Sequence, residues 1–351
     1  PLEFIKNSWF EGFLMSLLVI EAVSFNLFDT LLLEALFQRF GFKSFTDLRN
    51  IFIQLYFFSV VWIELKRLGP VLPRFKVHPS VVFIFSFFAL IFGGTGLLML
   101  PEMTTIEGSM NFLDAFFTST SATCVTGLMV EDTPNFFTFK GQFVLMVLIK
   151  LGGLNIIAFG SFLALAAKFG LSVKHHDSIE DFVNRETSIS ARGMLTKVVV
   201  WSIGIELIGT VMMYIFWDDA IPFSSNGERW FFSLFHSVSA FNNAGISLFS
   251  GGLGDPLVAQ NYYVHWIVTI LVFFGALGMM AVFNIFDPKQ LRDRLKHPWK
   301  QITFSTKIAL YFSIGLVIAG SVLYFVLEDN NTLAGQSLFG KVTTAVFQSV
   351  T

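Results

Sequence analysis

The chain reads Ser239-Ala240-Phe241-Asn242-Asn243-Ala244-Gly245-Ile246 at the end of an apolar segment, and this uncharged stretch decides how the fold is interpreted. An earlier stretch, Ser121-Ala122-Thr123-Cys124-Val125-Thr126-Gly127-Leu128, aligns with it at a constant offset of 118 residues. Self-similarity at a fixed offset is typical of a repeated structural unit. We call residues 123–127 the first turn and residues 241–245 the second turn.

Composition predicts that lipid surrounds much of this chain. Of its 351 residues, 54% are hydrophobic and 14% are charged, whereas soluble domains average about 25% charged residues. Phe contributes 45 residues and Tyr only 6, so most aromatic side chains carry no polar atom. We therefore expect an all-α membrane protein without an internal disulfide, since the chain has a single Cys. Disorder and nucleic-acid binding are excluded.

Apolar segments and charged loops predict several membrane crossings. The candidate spans are residues 9–37, 51–65, 81–100, 141–167, 194–217, 262–286 and 307–327. The loops at 64–78, 168–197 and 287–307 hold 15 of the 23 Lys and Arg residues, whereas the alternating loops from 101 onward hold none. By the positive-inside rule the basic loops are cytoplasmic. We expect a multi-pass protein of the cell membrane, most simply the bacterial inner membrane, in contact with lipid.

Three shorter apolar segments are not expected to cross the bilayer, because the first two each lie between two outside segments and the third follows one. Residues 111–124, 229–241 and 337–351 are predicted to be re-entrant pore helices. The repeated unit is thus helix, pore helix, turn, helix. This arrangement divides the chain into N-terminal helices (1–78), a first unit (79–190), a second unit (191–300) and an incomplete third unit (301–351). By an offset of 112 residues, the glycine of the third turn is expected six residues beyond Thr351.

The two turns have the chemistry of a backbone cation site. Carbonyl oxygens can replace the water shell of a cation, and glycine allows close approach around an axis. Neither turn contains a charged side chain, which favours a monovalent ion over Ca²⁺. An alternative interpretation is that Gly127 and Gly245 are ordinary helix C-caps. The side chains of Asn242 and Asn243 are expected either to brace their turn or to act as ligands.

The order of these motifs, with Leu151-Gly152-Gly153-Leu154 between them, resembles the Trk/Ktr/HKT superfamily of potassium transporters. The resemblance implies four channel-like units around a pseudo-fourfold pore, K⁺ as the transported ion, no other cofactor and no enzymatic activity. It also implies a homodimer that binds a cytoplasmic nucleotide-binding regulatory subunit of the RCK type. The selectivity-filter residues implied are Thr123, Cys124, Val125, Thr126, Gly127, Phe241, Asn242, Asn243, Ala244 and Gly245, with Thr351 in the third unit.

Charged residues lie within the neighbouring spans predicted at 141–167 and 194–217. Lys150 and Glu206 are expected to form an intramembrane ion pair between the first two units; a gating role for Lys150 and snorkelling to the membrane surface are the alternatives. The alternative function is a secondary transporter for another small solute, or for Na⁺, built on broken helices. No transition-metal site is expected, because no histidine or cysteine pair has the spacing of a zinc site.

Overall fold

The computed structural model of the chain describes residues 79–106, 109–168, 191–218, 221–297 and 302–351. The predicted N-terminal helices at 1–78 lie outside the described residues, as does most of the predicted loop at 168–197. Within the described ranges the backbone forms helices and connecting turns, and a single bridge joins the extended residues Thr104 and Phe137. The prediction of an all-α fold is confirmed.

Predicted spans and observed helices agree within about three residues at most of their ends, because hydropathy marks the membrane boundary closely. The helices of the described part are α1 (Pro79–Leu98), α2 (Phe112–Thr123), α3 (Thr133–Phe136), α4 (Phe139–Lys168), α5 (Ala191–Phe216), α6 (Asn226–Phe241), α7 (Tyr262–Leu277), α8 (Met279–Phe286), α9 (Pro288–Lys296), α10 (Phe304–Glu328) and α11 (Leu338–Val350).

The candidate span over residues 262–286 is not one continuous helix. Gly278 interrupts it with φ +84° and ψ 140°, and α7 and α8 are bent by 107° at this residue. Only glycine populates this backbone region readily. The sequence remains apolar through the break, so hydropathy alone could not detect it.

Three helices of the described part are long and apolar enough to cross a membrane, with the bent pair α7 and α8 as a fourth candidate. The three spans are Phe139–Ile157, Thr196–Phe216 and Phe304–Glu328. Large apolar side chains such as Ile208 and Leu316 are exposed on these helices. An apolar exterior of this kind suits lipid rather than water, and the chain is a multi-pass membrane protein.

The short helices α6 and α11 each begin at a serine that satisfies a free backbone donor. Ser225 Oγ accepts from the Glu228 N–H at 3.2 Å, and Ser337 Oγ accepts from the Gly340 N–H at 3.1 Å. Such N-caps offset the loss of intrahelical partners at a helix start. Both helices are too short to span a bilayer, as predicted for the re-entrant segments.

One helix crossing occurs three times in the described part. In each case a serine of a short helix donates to a carbonyl oxygen of the longer helix before it, and a glycine three residues after that carbonyl leaves room for the serine. The serine and acceptor pairs are Ser119 with Ile91 (2.8 Å), Ser237 with Glu206 (2.7 Å) and Ser349 with Val317 (3.0 Å), and the glycines are Gly94, Gly209 and Gly320.

The helix α6 lies between two apolar clusters. Phe235 and Val238 belong to a cluster with Leu145 and Ile149 of α4. Phe241, in the last turn of α6, belongs to a second cluster with residues of α5 and α7. The end of α6 is therefore held from both sides, and this end leads directly into the second turn.

Candidate selectivity filter

The two turns have the same hydrogen-bonded geometry. The Thr126 N–H donates to the Ser121 carbonyl oxygen and the Ala244 N–H donates to that of Ser239, both at 2.8 Å. One residue earlier, the N–H groups of Val125 and Asn243 donate to the carbonyl oxygens of Ala122 and Ala240 at 3.3 and 3.0 Å. This pair of bonds is the Schellman motif that ends many helices.

The left-handed residues of these caps are Val125 and Asn243, with φ +57° and +58°. Gly127 and Gly245 follow two residues later, with φ +79° and +72°. The glycines therefore do not serve as the helix caps, contrary to the alternative interpretation. A β-branched residue such as Val125 is rare at positive φ, and strain of about 1–3 kcal/mol at such positions is often found at functional sites.

The carbonyl oxygens of residues 123–127 and 241–245 accept no hydrogen bond from any described residue. Cys124, Thr126, Asn243 and Gly245 are exposed, so water or an ion can reach these turns, and backbone carbonyl groups are strong acceptors. Two adjacent backbone segments in this condition can bind a cation or ordered water through their oxygens. The two preceding helices also direct the partly negative ends of their dipoles toward the turns.

The turns contact each other through backbone atoms. A Cβ added to Gly127 would overlap the carbonyl oxygen of Ala244 and lie 3.4 Å from the Cα of Gly245. Glycine at position 127 is thus required both by its positive φ and by the neighbouring turn. The sequence predicted a close approach at this glycine, but the Ala244 and Gly245 atoms that it meets depend on the packing of two distant segments.

Polar side chains brace the second turn. Asn242 Nδ2 donates to the Val238 carbonyl oxygen at 2.8 Å and to Glu206 Oε1 at 2.9 Å. The amide of Asn243, in the orientation that satisfies both of its ends, donates to the Val272 carbonyl oxygen at 3.1 Å and accepts from the Ala276 N–H at 3.3 Å. Both amides therefore bond to helices around the turn.

Lys150 and Glu206 lie together between α4 and α5. Lys150 Nζ is 2.7 and 2.8 Å from the two carboxylate oxygens of Glu206, and it also donates to Ser202 Oγ. Only 4% of the Glu206 side chain and 18% of the Lys150 side chain are exposed. The sequence predicted this pair as a hypothesis, but it gave no sign that Asn242 and Ser202 join it.

The structure positions Thr351 differently from the other predicted filter residues. Ser349 bonds to α10 as Ser237 bonds to α5, which fixes an offset of 112 residues between α11 and α6. Thr351 therefore corresponds to Ser239, which precedes the second turn by two residues. Its own N–H donates to the Phe347 carbonyl oxygen at 3.0 Å, as in a last helical turn.

A sequence model of the TrkH family, described as cation transport proteins, matches residues 43–351. The chain belongs to this family. Family membership confirms the predicted resemblance and the prediction that the chain is not an enzyme.

Individual relatives match most of the chain. The potassium/sodium uptake protein NtpJ of Enterococcus hirae is 32% identical over 79% of this chain and 59% of its own length. The Ktr system potassium uptake protein B of Bacillus subtilis is 33% identical over the same shares. The chain thus spans less than two thirds of the length of these relatives.

The fold is similar to that in the crystal structure of the potassium transporter TrkH from Vibrio parahaemolyticus. The two chains superpose with a TM-score of 0.58 at 16% sequence identity, covering 96% of this chain and 60% of the other. At this identity the similarity concerns the fold. It supports the helical membrane architecture without assigning roles to individual side chains.

Proposed function

We propose that this TrkH-family chain takes up K⁺ through a pore in which the first and second turns are selectivity-filter segments. The observation that carries the proposal is the pair of adjacent turns whose ten carbonyl groups have no partner among the described residues. The ion ligands are the backbone oxygens of residues 123–127 and 241–245. Thr351 is left out of the filter, because its register matches Ser239.

The proposed units are residues 79–190, 191–300 and 301–351, preceded by N-terminal helices at 1–78. The recurring serine and glycine crossing supports this division. In the proposed assembly the chain forms a homodimer in the bacterial inner membrane and binds a cytoplasmic nucleotide-binding regulatory subunit of the RCK type. The name of the Bacillus subtilis relative, a component of a Ktr system, supports a partner of this kind.

Transport of Na⁺ is the second candidate. The name of the Enterococcus hirae relative includes sodium as well as potassium. The proposal favours K⁺ because the first turn ends in Gly127. In this respect the chain resembles the potassium-selective members of the superfamily, whereas sodium-permeable members carry serine at this place. Competition between the two ions in the same cells distinguishes these candidates.

The test is rescue of a potassium-uptake-deficient bacterium by the full-length gene. We expect growth at low K⁺, and we expect Gly245→Asp to abolish it, because a carboxylate at this glycine would enter the space between the two turns. Gly254→Asp is the matched control: Gly254 is exposed and a Cβ there meets nothing within 4 Å. Equal growth with Gly245→Asp and Gly254→Asp would overturn the filter assignment. Uptake of Na⁺ but not K⁺ by the unaltered protein would overturn the choice of ion.

A further inference from the structure

The side chain of Glu206 connects α4 with the second turn. One carboxylate oxygen, Oε1, is 2.7 Å from Lys150 Nζ of α4 and 2.9 Å from Nδ2 of Asn242 in the second turn. The other oxygen bonds to Lys150 alone among the described residues. A single buried carboxylate thus joins α4, α5 and the second turn.

Holding two helices together would not require a buried ion pair between Lys150 and Glu206. Burying an ion pair is costly, and apolar residues of similar volume often hold helices together as well or better. The positions that correspond to Glu206 in the other two crossings are Ile91 and Val317, both apolar. The carboxylate is therefore specific to the crossing beside the second turn, within the described residues.

The amide of Asn242 is held on several sides. Its two N–H groups are both used, by Glu206 Oε1 and by the Val238 carbonyl oxygen. On the opposite side, a Cβ added to Gly153 of α4 would overlap Oδ1 of the same amide. Cys124, the corresponding residue of the first turn, has no such amide. Asn242 immediately precedes the left-handed residue Asn243, so the hydrogen bonds of its side chain anchor the backbone next to the following carbonyl groups.

We propose that Glu206 is a positioning residue for ion selectivity: its carboxylate, oriented by Lys150, holds Asn242 and thereby the carbonyl groups of the second turn. This inference rests on the proposed function, because it assumes that the second turn conducts ions. Glu206 acts through Asn242 and does not touch the ion. Lys150 orients the carboxylate and compensates its charge.

The deciding experiment compares two double variants in the full-length protein, Lys150→Met with Glu206→Gln and Lys150→Met with Glu206→Leu. Both lack the ion pair and both are uncharged at these positions, and only glutamine keeps an oxygen that can accept from Asn242. The measurement is the K⁺/Na⁺ permeability ratio from reversal potentials, with the amount of protein in the membrane measured in parallel. We expect the glutamine variant to stay within about twofold of the unaltered protein and the leucine variant to lose about tenfold, as for one buried hydrogen bond.

If the variant with Glu206→Leu accumulates too little protein to be measured, a charge exchange, Lys150→Glu with Glu206→Lys, tests the same proposal. The exchange restores an ion pair between α4 and α5, but it presents Asn242 with an ammonium group that cannot accept a hydrogen bond. We expect normal protein amount with a ratio lowered about tenfold. A normal ratio in the exchanged protein, or equal ratios in the glutamine and leucine variants, would overturn the positioning role. An unaltered protein that conducts no K⁺ would instead overturn the proposed function.

Discussion

Gly152 of α4 lies directly against the peptide carbonyl of Thr123, so that a Cβ added at position 152 would overlap the carbonyl oxygen. Gly275 of α7 has the same relationship with the carbonyl oxygen of Phe241. The helices α4 and α7 therefore each contact the first residue of one turn through a glycine. The start of each turn is fixed by this backbone contact, which allows no side chain between them.

Replacing Gly152 or Gly275 by alanine is expected to displace the start of the corresponding turn. The added methyl group would force backbone atoms apart, and such overpacking costs about 1–3 kcal/mol. We expect K⁺ uptake to fall at least about tenfold while some protein still reaches the membrane. Uptake of ⁸⁶Rb⁺ per amount of protein is the measurement.

Gly204→Ala of α5 is the control for these two changes, because a Cβ at position 204 meets nothing within 4 Å. Alanine also favours a helix relative to glycine. Normal transport by Gly152→Ala would contradict the contact with Thr123.

Alanine at Gly127 is expected to impair transport more than alanine at Gly245. Both residues have positive φ, and this conformation costs an L-residue about 1–2 kcal/mol. At position 127 the methyl group would also overlap the Ala244 carbonyl oxygen, whereas at position 245 the nearest atom is the Gly127 Cα at 3.9 Å. Rubidium uptake and K⁺/Na⁺ permeability ratios measure the difference. The reverse order would mean that the two turns do not approach each other as described.

The crossing of α5 and α6 is expected to show coupling between Gly209 and Ser237. Ser237→Ala removes a buried hydrogen bond to the Glu206 carbonyl oxygen, which is worth about 1 kcal/mol. Gly209→Ala would overlap Ser237 Oγ, and removing that oxygen relieves part of the overlap. We therefore expect the double variant to be more stable than the sum of the single changes predicts, by about 0.5–1 kcal/mol.

Thermal unfolding in detergent measures this coupling. Gly96→Ala on the exposed face of α1 serves as the control, because a Cβ there meets no atom within 4 Å. Strict additivity of Gly209→Ala and Ser237→Ala would argue against the observed crossing.

The bend at Gly278 is expected to matter for transport and not only for stability. Alanine there would be strained by φ +84°, although its Cβ meets nothing within 4 Å. Gly335→Ala is a matched control, since Gly335 also has positive φ and free space but lies in a turn after α10. We expect Gly278→Ala to reduce ⁸⁶Rb⁺ uptake, because α7 also carries Gly275 against the second turn. Equal uptake by the two variants would show that the bend is not needed.

Several features of the fold could be predicted from the sequence because they depend on local patterns. Hydropathy located the membrane helices within a few residues, and the offset of 118 residues aligned two turns that have the same hydrogen bonds. Lys150 and Glu206 could be paired as a hypothesis because intramembrane charges need a partner. The three crossings were not predicted, although a glycine followed by a hydroxyl residue recurs at each of them, at Gly94-Thr95, Gly209-Thr210 and Gly320-Ser321.

Other features could not be read from the sequence. The break at Gly278 lies in an apolar run, so hydropathy does not mark it. Gly152 belongs to the Leu151-Gly152-Gly153-Leu154 motif, but its contact with Thr123 could not be predicted.

The sequence by itself determined that this chain is a helical membrane protein with repeated, uncharged, glycine-containing turns. Hydropathy, charge distribution and repeat spacing are properties of the chain itself, and they set which segments enter lipid. Only the tertiary structure decided which groups meet at the turns. Glu206 reaches Lys150 across 56 residues and Asn242 across 36, and such contacts depend on how α4, α5 and α6 pack together.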